Sequence, residues 1–166
     1  MSASGVMPCG SSRLLRLDPF ALPIQFRASD ATADERVRFV ELHRKRVVMR
    51  RSVAGMCMAV SLPVSSFLGV ALRVVPPDQA NDGAISIVLE HRDAALAVPV
   101  FTAPDGVDAI AEWRAWGRVL GLPLLVADAD GALRDPFPRV SAARAAAASP
   151  PAPCIHRDER EIIARG

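Results

Sequence analysis

Cysteine is scarce and poorly placed for chemistry: Cys9, Cys57 and Cys154 are odd in number and far apart, and no CxxC or Cys/His spacing could gather a zinc ion. That usage fits a reducing cytoplasm better than a disulfide scaffold. Histidine is equally rare. His43, His91 and His156 fall in expected turns or in the tail, no serine sits in a GxSxG elbow, and neither an HExxH pair nor a P-loop occurs. With so few candidate bases the chain reads as non-enzymatic, with no metal and no cofactor. Neither sign of charge dominates, since 20 Lys and Arg face 18 Asp and Glu. A net charge this small argues against a dedicated, specific nucleic-acid binder and leaves only local patches. Every cation except Lys45 is arginine and alanine is abundant, a coding bias that lowers the weight of any single Arg as a clue. The first residues also lack a continuous apolar run after their charges, so no secretory signal is expected.

One long uncharged stretch is present, Val53 to Leu72, VAGMCMAVSLPVSSFLGVAL, which has the length of a membrane span. Ser61, Pro63, Ser65 and Ser66 interrupt it where hydrocarbon tolerates polarity least, and they divide it into two strand-length pieces. The reading is two buried strands and no membrane helix.

The organising segment is Val107 to Val126, VDAIAEWRAWGRVLGLPLLV, a helix running into a strand. Asp105 is the expected N-cap with Asp108 three residues on, offering oxygens to the first-turn amides. Gly121 suits the left-handed position after the last turn, and Pro123 prevents continuation. Ala109, Ile110, Trp113, Trp116, Gly117 and Leu120 share one face at 3.6 residues per turn. We read Trp113, Trp116, Gly117 and Gly121 as structural. The indoles plug an open sheet or barrel, and Gly117 lets a strand approach closely.

Residues 1–17 are small, polar and basic, and are expected to be disordered. One domain follows over 18–140, and 141–166 is an Ala/Pro-rich linker and tail that cannot build a core. Within the domain DPFALPIQF runs extended because its prolines exclude a helix. Residues 36–51 alternate as a hairpin closing around His43, Arg44 and Lys45. Strands are expected at 56–62, 67–75, 84–90, 96–101 and 122–127, and Asp130-Gly131 marks a last turn leading back through Leu133. The sum is an α+β domain of about seven antiparallel strands in a bent sheet or small barrel, with one helix packed on it after most of the strands. That order of many strands and then a helix is similar to pleckstrin-homology-like barrels, although the strand pair after the helix departs from it.

His91-Arg92-Asp93 spells a kinase catalytic-loop triplet, but no glycine-rich loop or DFG accompanies it, and Asp128, Asp130 and Gly131 lack the last acidic ligand of a calcium loop. In the expected hairpin register Arg38 and Arg50 lie opposite each other with Arg46 nearby, a like-charge face that costs stability unless an anion or acidic partner covers it. Arg38, Arg46 and Arg50 are therefore the candidate ligand-binding residues. Arg46 and Arg50 followed by Ser52 and Gly55 also echo the RxxxR and SxxG elements of PilZ cyclic-dinucleotide receptors, although there the two elements are well separated along the chain.

DPFALPIQF, RVVMRR, LPVSSFLGVALR, VLEHRD and above all WRAWGRVLGLPLLV followed by DADG resemble a family of small alphaproteobacterial proteins, a domain of unknown function, over roughly residues 14–140 and again at the REIIAR ending. The resemblance implies a bacterial cytoplasmic protein and carries no site residues. The functional expectation is a non-catalytic interaction module for a protein partner, a second copy or an anionic small molecule. A small hydrolase or isomerase with a pocket near His91 and Asp93, and a PilZ-like cyclic-dinucleotide binder, are the alternatives.

Overall fold

The computed structural model describes residues 14–77 and 82–137. The expectations for residues 1–13 and for the end of the chain from 138 lie outside the described residues.

Alternation of apolar and polar residues produces a meander of β2 (Ile24–Ser29), β3 (Val37–Leu42), β4 (Arg46–Val53) and β5 (Met56–Pro63), a four-stranded antiparallel sheet in sequence order. The turn between β3 and β4 falls at His43–Lys45, as expected. The turn between β4 and β5 is two residues long, with positive φ at Ala54 (52°) and Gly55 (74°). Two left-handed residues match the twist of a tight hairpin, and the alanine pays roughly 1–2 kcal/mol for adopting that conformation. Asp34 offsets part of this cost by accepting the Ala54 amide at 2.8 Å and the Gly55 amide at 2.9 Å.

The second sheet has six strands in the order β1-β8-β7-β6-β9-β10, formed by β1 (Leu15–Arg16), β6 (Gly69–Val75), β7 (Ala84–Glu90), β8 (Val98–Ala103), β9 (Leu124–Ala127) and β10 (Leu133–Arg134). The one α-helix among the described residues, α1 (Ala109–Leu120), carries the chain from β8 over the sheet to β9, which pairs parallel with β6. A parallel pair requires such a crossover. The α+β class and the packed helix hold. The barrel does not: the ten strands of the described residues form two open sheets, and one pairing is parallel. Residues 14–17, read as part of the N-terminal segment, belong to the domain, because Leu15 and Arg16 pair with β8 and Leu17 is buried. The uncharged run forms β5, a short turn and β6, and no described helix is long and apolar enough to cross a membrane. Of the two strands only β6 is buried, over Gly69–Ala71, and its end at Val74 and Val75 is exposed. β5 is an edge that leaves Met56 and Met58 exposed.

One core joins both sheets and the helix. Phe26, Val40, Leu42, Val47 and Met49 come from the inner face of the four-stranded sheet, Val70, Ile87, Leu89, Val98 and Val100 from the other, and Trp113, Trp116 and Leu120 from α1. The indoles turn inward. Trp116 is fully buried, and Trp113 donates its ring N–H to the Val70 carbonyl at 2.7 Å. By apolar area each ring contributes about 4–6 kcal/mol. Ile110 is 44% exposed, because at 100° per residue it lies about 80° from the centre of the stripe. The helix also starts later than expected. Asp108, not Asp105, is its N-cap, and that side chain makes no cap bond but accepts from Arg16 at 3.0 Å. Gly121 takes the left-handed C-cap with φ 67°.

Two glycines allow the helix and strands to close. A Cβ on Gly69 would lie 2.6 Å from the Pro123 carbonyl oxygen, a backbone atom, whereas one on Gly117 would meet the tip of Leu124 at 2.5 Å. A side-chain tip can move and a backbone carbonyl cannot, and alanine gains about 1 kcal/mol over glycine inside a helix. Gly69→Ala is expected to cost about 1–3 kcal/mol in urea unfolding, and Gly117→Ala clearly less. Equal losses would contradict this account of the β6–β9 junction.

Candidate functional site

The outer face of the four-stranded sheet is built by the odd residues of β2 and β3 and the even residues of β4. The pairings Arg27↔Phe39 and Phe39↔Arg50 place Phe39 between two arginines in one row across three strands. Phe39 is 48% exposed, and the Arg27 guanidinium sits 4.7 Å from its ring centroid. Such an exposed cation–π contact contributes about 0.5–1 kcal/mol and holds the Arg27 fork above the sheet. Arg46 lies on the same face, and Arg44 and Lys45 extend the basic surface through the β3–β4 turn, all three exposed. The acidic member of the face is Glu41, which meets Arg50 at 3.7 Å and the His43 ring nitrogen at 2.7 Å. Five cations thus surround one carboxylate.

The expected grouping of Arg38, Arg46 and Arg50 on one face is not found. Phe39, not Arg38, stands opposite Arg50. A register shift of one residue reverses every side chain, so Arg46 and Arg50 face solvent while Arg38 points into the protein and is 5% exposed. Arg38 donates to the carbonyls of Ala95, inside the short 3-10 turn Ala94–Leu96 before β8, and of Ala97, just after it, and so ties the two sheets together. Sequence reasoning missed Arg27 and Phe39. The i, i+2 alternation of Gln25, Arg27 and Ser29 against Phe26 and Ala28 was the available signal.

Beneath this face, at the inner side of the same sheet, Asp30, Arg38 and Arg51 meet with Met49, Met58, Val60 and Leu96 around a recess of about 230 Å³ that is partly open solvent. Burial pushes the Asp30 carboxyl up, but the hydroxyl and amide of Thr32 (2.6 and 2.9 Å) and Arg51 (3.2 Å) outweigh it, and the net direction is down. Burial lowers the Arg38 guanidinium, while Asp30 opposes that shift and Arg51 adds to it. Near the start of α1, burial raises the Glu112 carboxyl, with Arg16 opposing.

His91 and Asp93 are committed to their own turn. The His91 ring nitrogen accepts the Asp93 amide at 3.0 Å, Asp93 accepts the Ala95 amide at 2.9 Å, and the imidazole packs edge-on against Phe67. Ser52 lies with Arg46 and Arg50 on the outer face, and Gly55 occupies the β4–β5 turn. No group of three metal-ligating side chains occurs among the described residues.

Fold and site together define an α+β domain of two open sheets, one of which presents a basic face centred on an aromatic ring. The chain belongs to the Family of unknown function (DUF6101), whose model matches residues 3–162. Comparison with curated proteins and with solved structures gives no match.

A carboxylate whose folded-state pKa is depressed stabilises the fold above its unfolded pKa and loses that contribution as pH falls through the folded value. Asp30→Asn is therefore expected to cost about 1–3 kcal/mol at pH 7, and to flatten the acid limb of a stability-versus-pH curve measured by urea unfolding.

Proposed function

We propose that this domain is a non-catalytic binding module that takes an anionic, phosphate-bearing ligand on the solvent face of its four-stranded sheet. The Arg27–Phe39–Arg50 row carries this reading. Guanidinium forks match phosphate oxygens two at a time, and a fork already held against a ring loses less freedom on binding. Arg46 adds charge on the same face, and Arg44 and Lys45 add it at the rim, where it raises the encounter rate with an anion. A cyclic dinucleotide is one ligand of this chemistry, and the placement of Arg46, Arg50 and Ser52 on one face supports including it. The exposed, unpaired Cys57 is consistent with a reducing cytoplasm.

Titration calorimetry with ATP and with a cyclic dinucleotide, each at low and high salt, tests the proposal. Binding that weakens as salt rises, a tenfold or greater loss in Arg27→Ala/Arg50→Ala, and no change in Arg114→Ala on the exposed side of α1 are the expected results. Unchanged binding in the double variant, or no binding of either probe at low salt, rejects the anion reading.

A further inference from the structure

The four-stranded sheet ends in β5, whose residues Met56 to Leu62 carry no charge. Long edges are ordinarily kept from pairing by charge, proline or brevity. The other edges here follow that rule: β1 and β10 have two residues each, and β2 carries Arg27. Among the described residues the β5 edge is protected only at its end, by Pro63.

Which backbone groups face outward can be read from the ladder. Val64 donates to the Lys45 carbonyl at 2.9 Å, and Val47 pairs with Leu62 and Met49 with Val60. Antiparallel pairs alternate between bonded and non-bonded, so Met56, Met58, Val60 and Leu62 bond to β4. Cys57, Ala59 and Ser61 direct both N–H and C=O away from the sheet, and no described residue takes up these groups.

We propose that β5 pairs antiparallel with β5 of a second copy of this chain, about a two-fold axis at Ala59. In that register Cys57 stands opposite Ser61 of the second copy, Ala59 opposite its equivalent, and Ser61 opposite Cys57, and all outward donors and acceptors are matched. Cys57, Ala59 and Ser61 form a row of small side chains on the outer face. On the inner side Met58 meets Val60 of the second copy, covering apolar surface at Met58, which is 43% exposed. No like charges are brought opposite each other, whereas self-pairing of β2 would bring two Arg27 side chains together. The product is an eight-stranded sheet whose outer face displays two copies of the Arg27–Phe39–Arg50 row. Pairing does not depend on the anion reading. Strand pairing alone buries an area at the small end for stable interfaces, below about 1,200 Å², so the dimer is expected to dissociate at micromolar concentration.

Sedimentation of the full chain across a concentration series should show mass moving from one chain to two. Ala59→Pro removes an N–H that β4 does not use, so it should leave the circular dichroism spectrum unchanged and yield a monomer. The register is tested in a background where Cys9, Cys57 and Cys154 are serine. There Ala59→Cys should form a disulfide-linked dimer on mild oxidation, because paired Cα atoms lie about 5.5 Å apart. Ser61→Cys should not, because its equivalents are four residues out of step, about 14 Å along the strand. A monomer at all concentrations, a dimer indifferent to Ala59→Pro, or cross-linking only through Ser61→Cys overturns the proposal. Calorimetry on Ala59→Pro separates the two readings: anion binding retained in a monomer leaves the module intact without the dimer.

Discussion

Burial of two indoles on one helix face is the constraint on which the architecture depends. Trp113 and Trp116 can leave water only if α1 lies against the six-stranded sheet, and it does so along β6, where the Val70 carbonyl accepts the Trp113 N–H. The helix therefore has to bring the chain back beside β6, and β9 enters parallel there. The junction is tight enough to require glycine at 69, because the Pro123 carbonyl occupies the space a side chain would need. Central position, small residues and a parallel neighbour all follow from the same packing demand.

The four-stranded sheet hangs from this assembly by its inner face. Val40, Leu42, Val47 and Met49 supply the apolar contact, and Arg38 supplies a directional one by holding two carbonyls at the 3-10 turn that precedes β8. A buried guanidinium is costly unless its donors are used; both terminal nitrogens of Arg38 are used and its Nε has no partner among the described residues, so the two carbonyl contacts specify the position of one sheet over the other more narrowly than hydrophobic packing alone would achieve. Because strand side chains alternate, fixing the inner face also fixes which residues reach solvent. The Arg27–Phe39–Arg50 row is the opposite side of the pattern that seats Arg38.

Much of this was legible in the chain. The helix and its C-cap, the β3–β4 turn, the inward tryptophans and the limits of β7 follow from period, glycine and proline. The register of one hairpin did not follow, because arginines interrupt both faces. Matching Arg38 with Arg50 is arithmetically reasonable, but it separates Val40 and Leu42 from Met49 and Val47, and the apolar pairs decided the outcome. The exposure of β5 was also missed. An uncharged run reads as buried, and only the strand order reveals that it ends a sheet. Two open sheets instead of a closed barrel likewise depend on long-range pairing, which local pattern does not encode.

With no tyrosine in the chain and both tryptophans on α1, near-ultraviolet fluorescence comes from a single interface. Emission is expected to be blue-shifted while the helix rests on β6 and to move to longer wavelength when the two separate. Events at the basic face of the meander take place on the side of that sheet turned away from the core that holds both indoles, and should leave that signal still. The protein thus carries its own optical gauge of one contact, silent about the surface where we locate its partners.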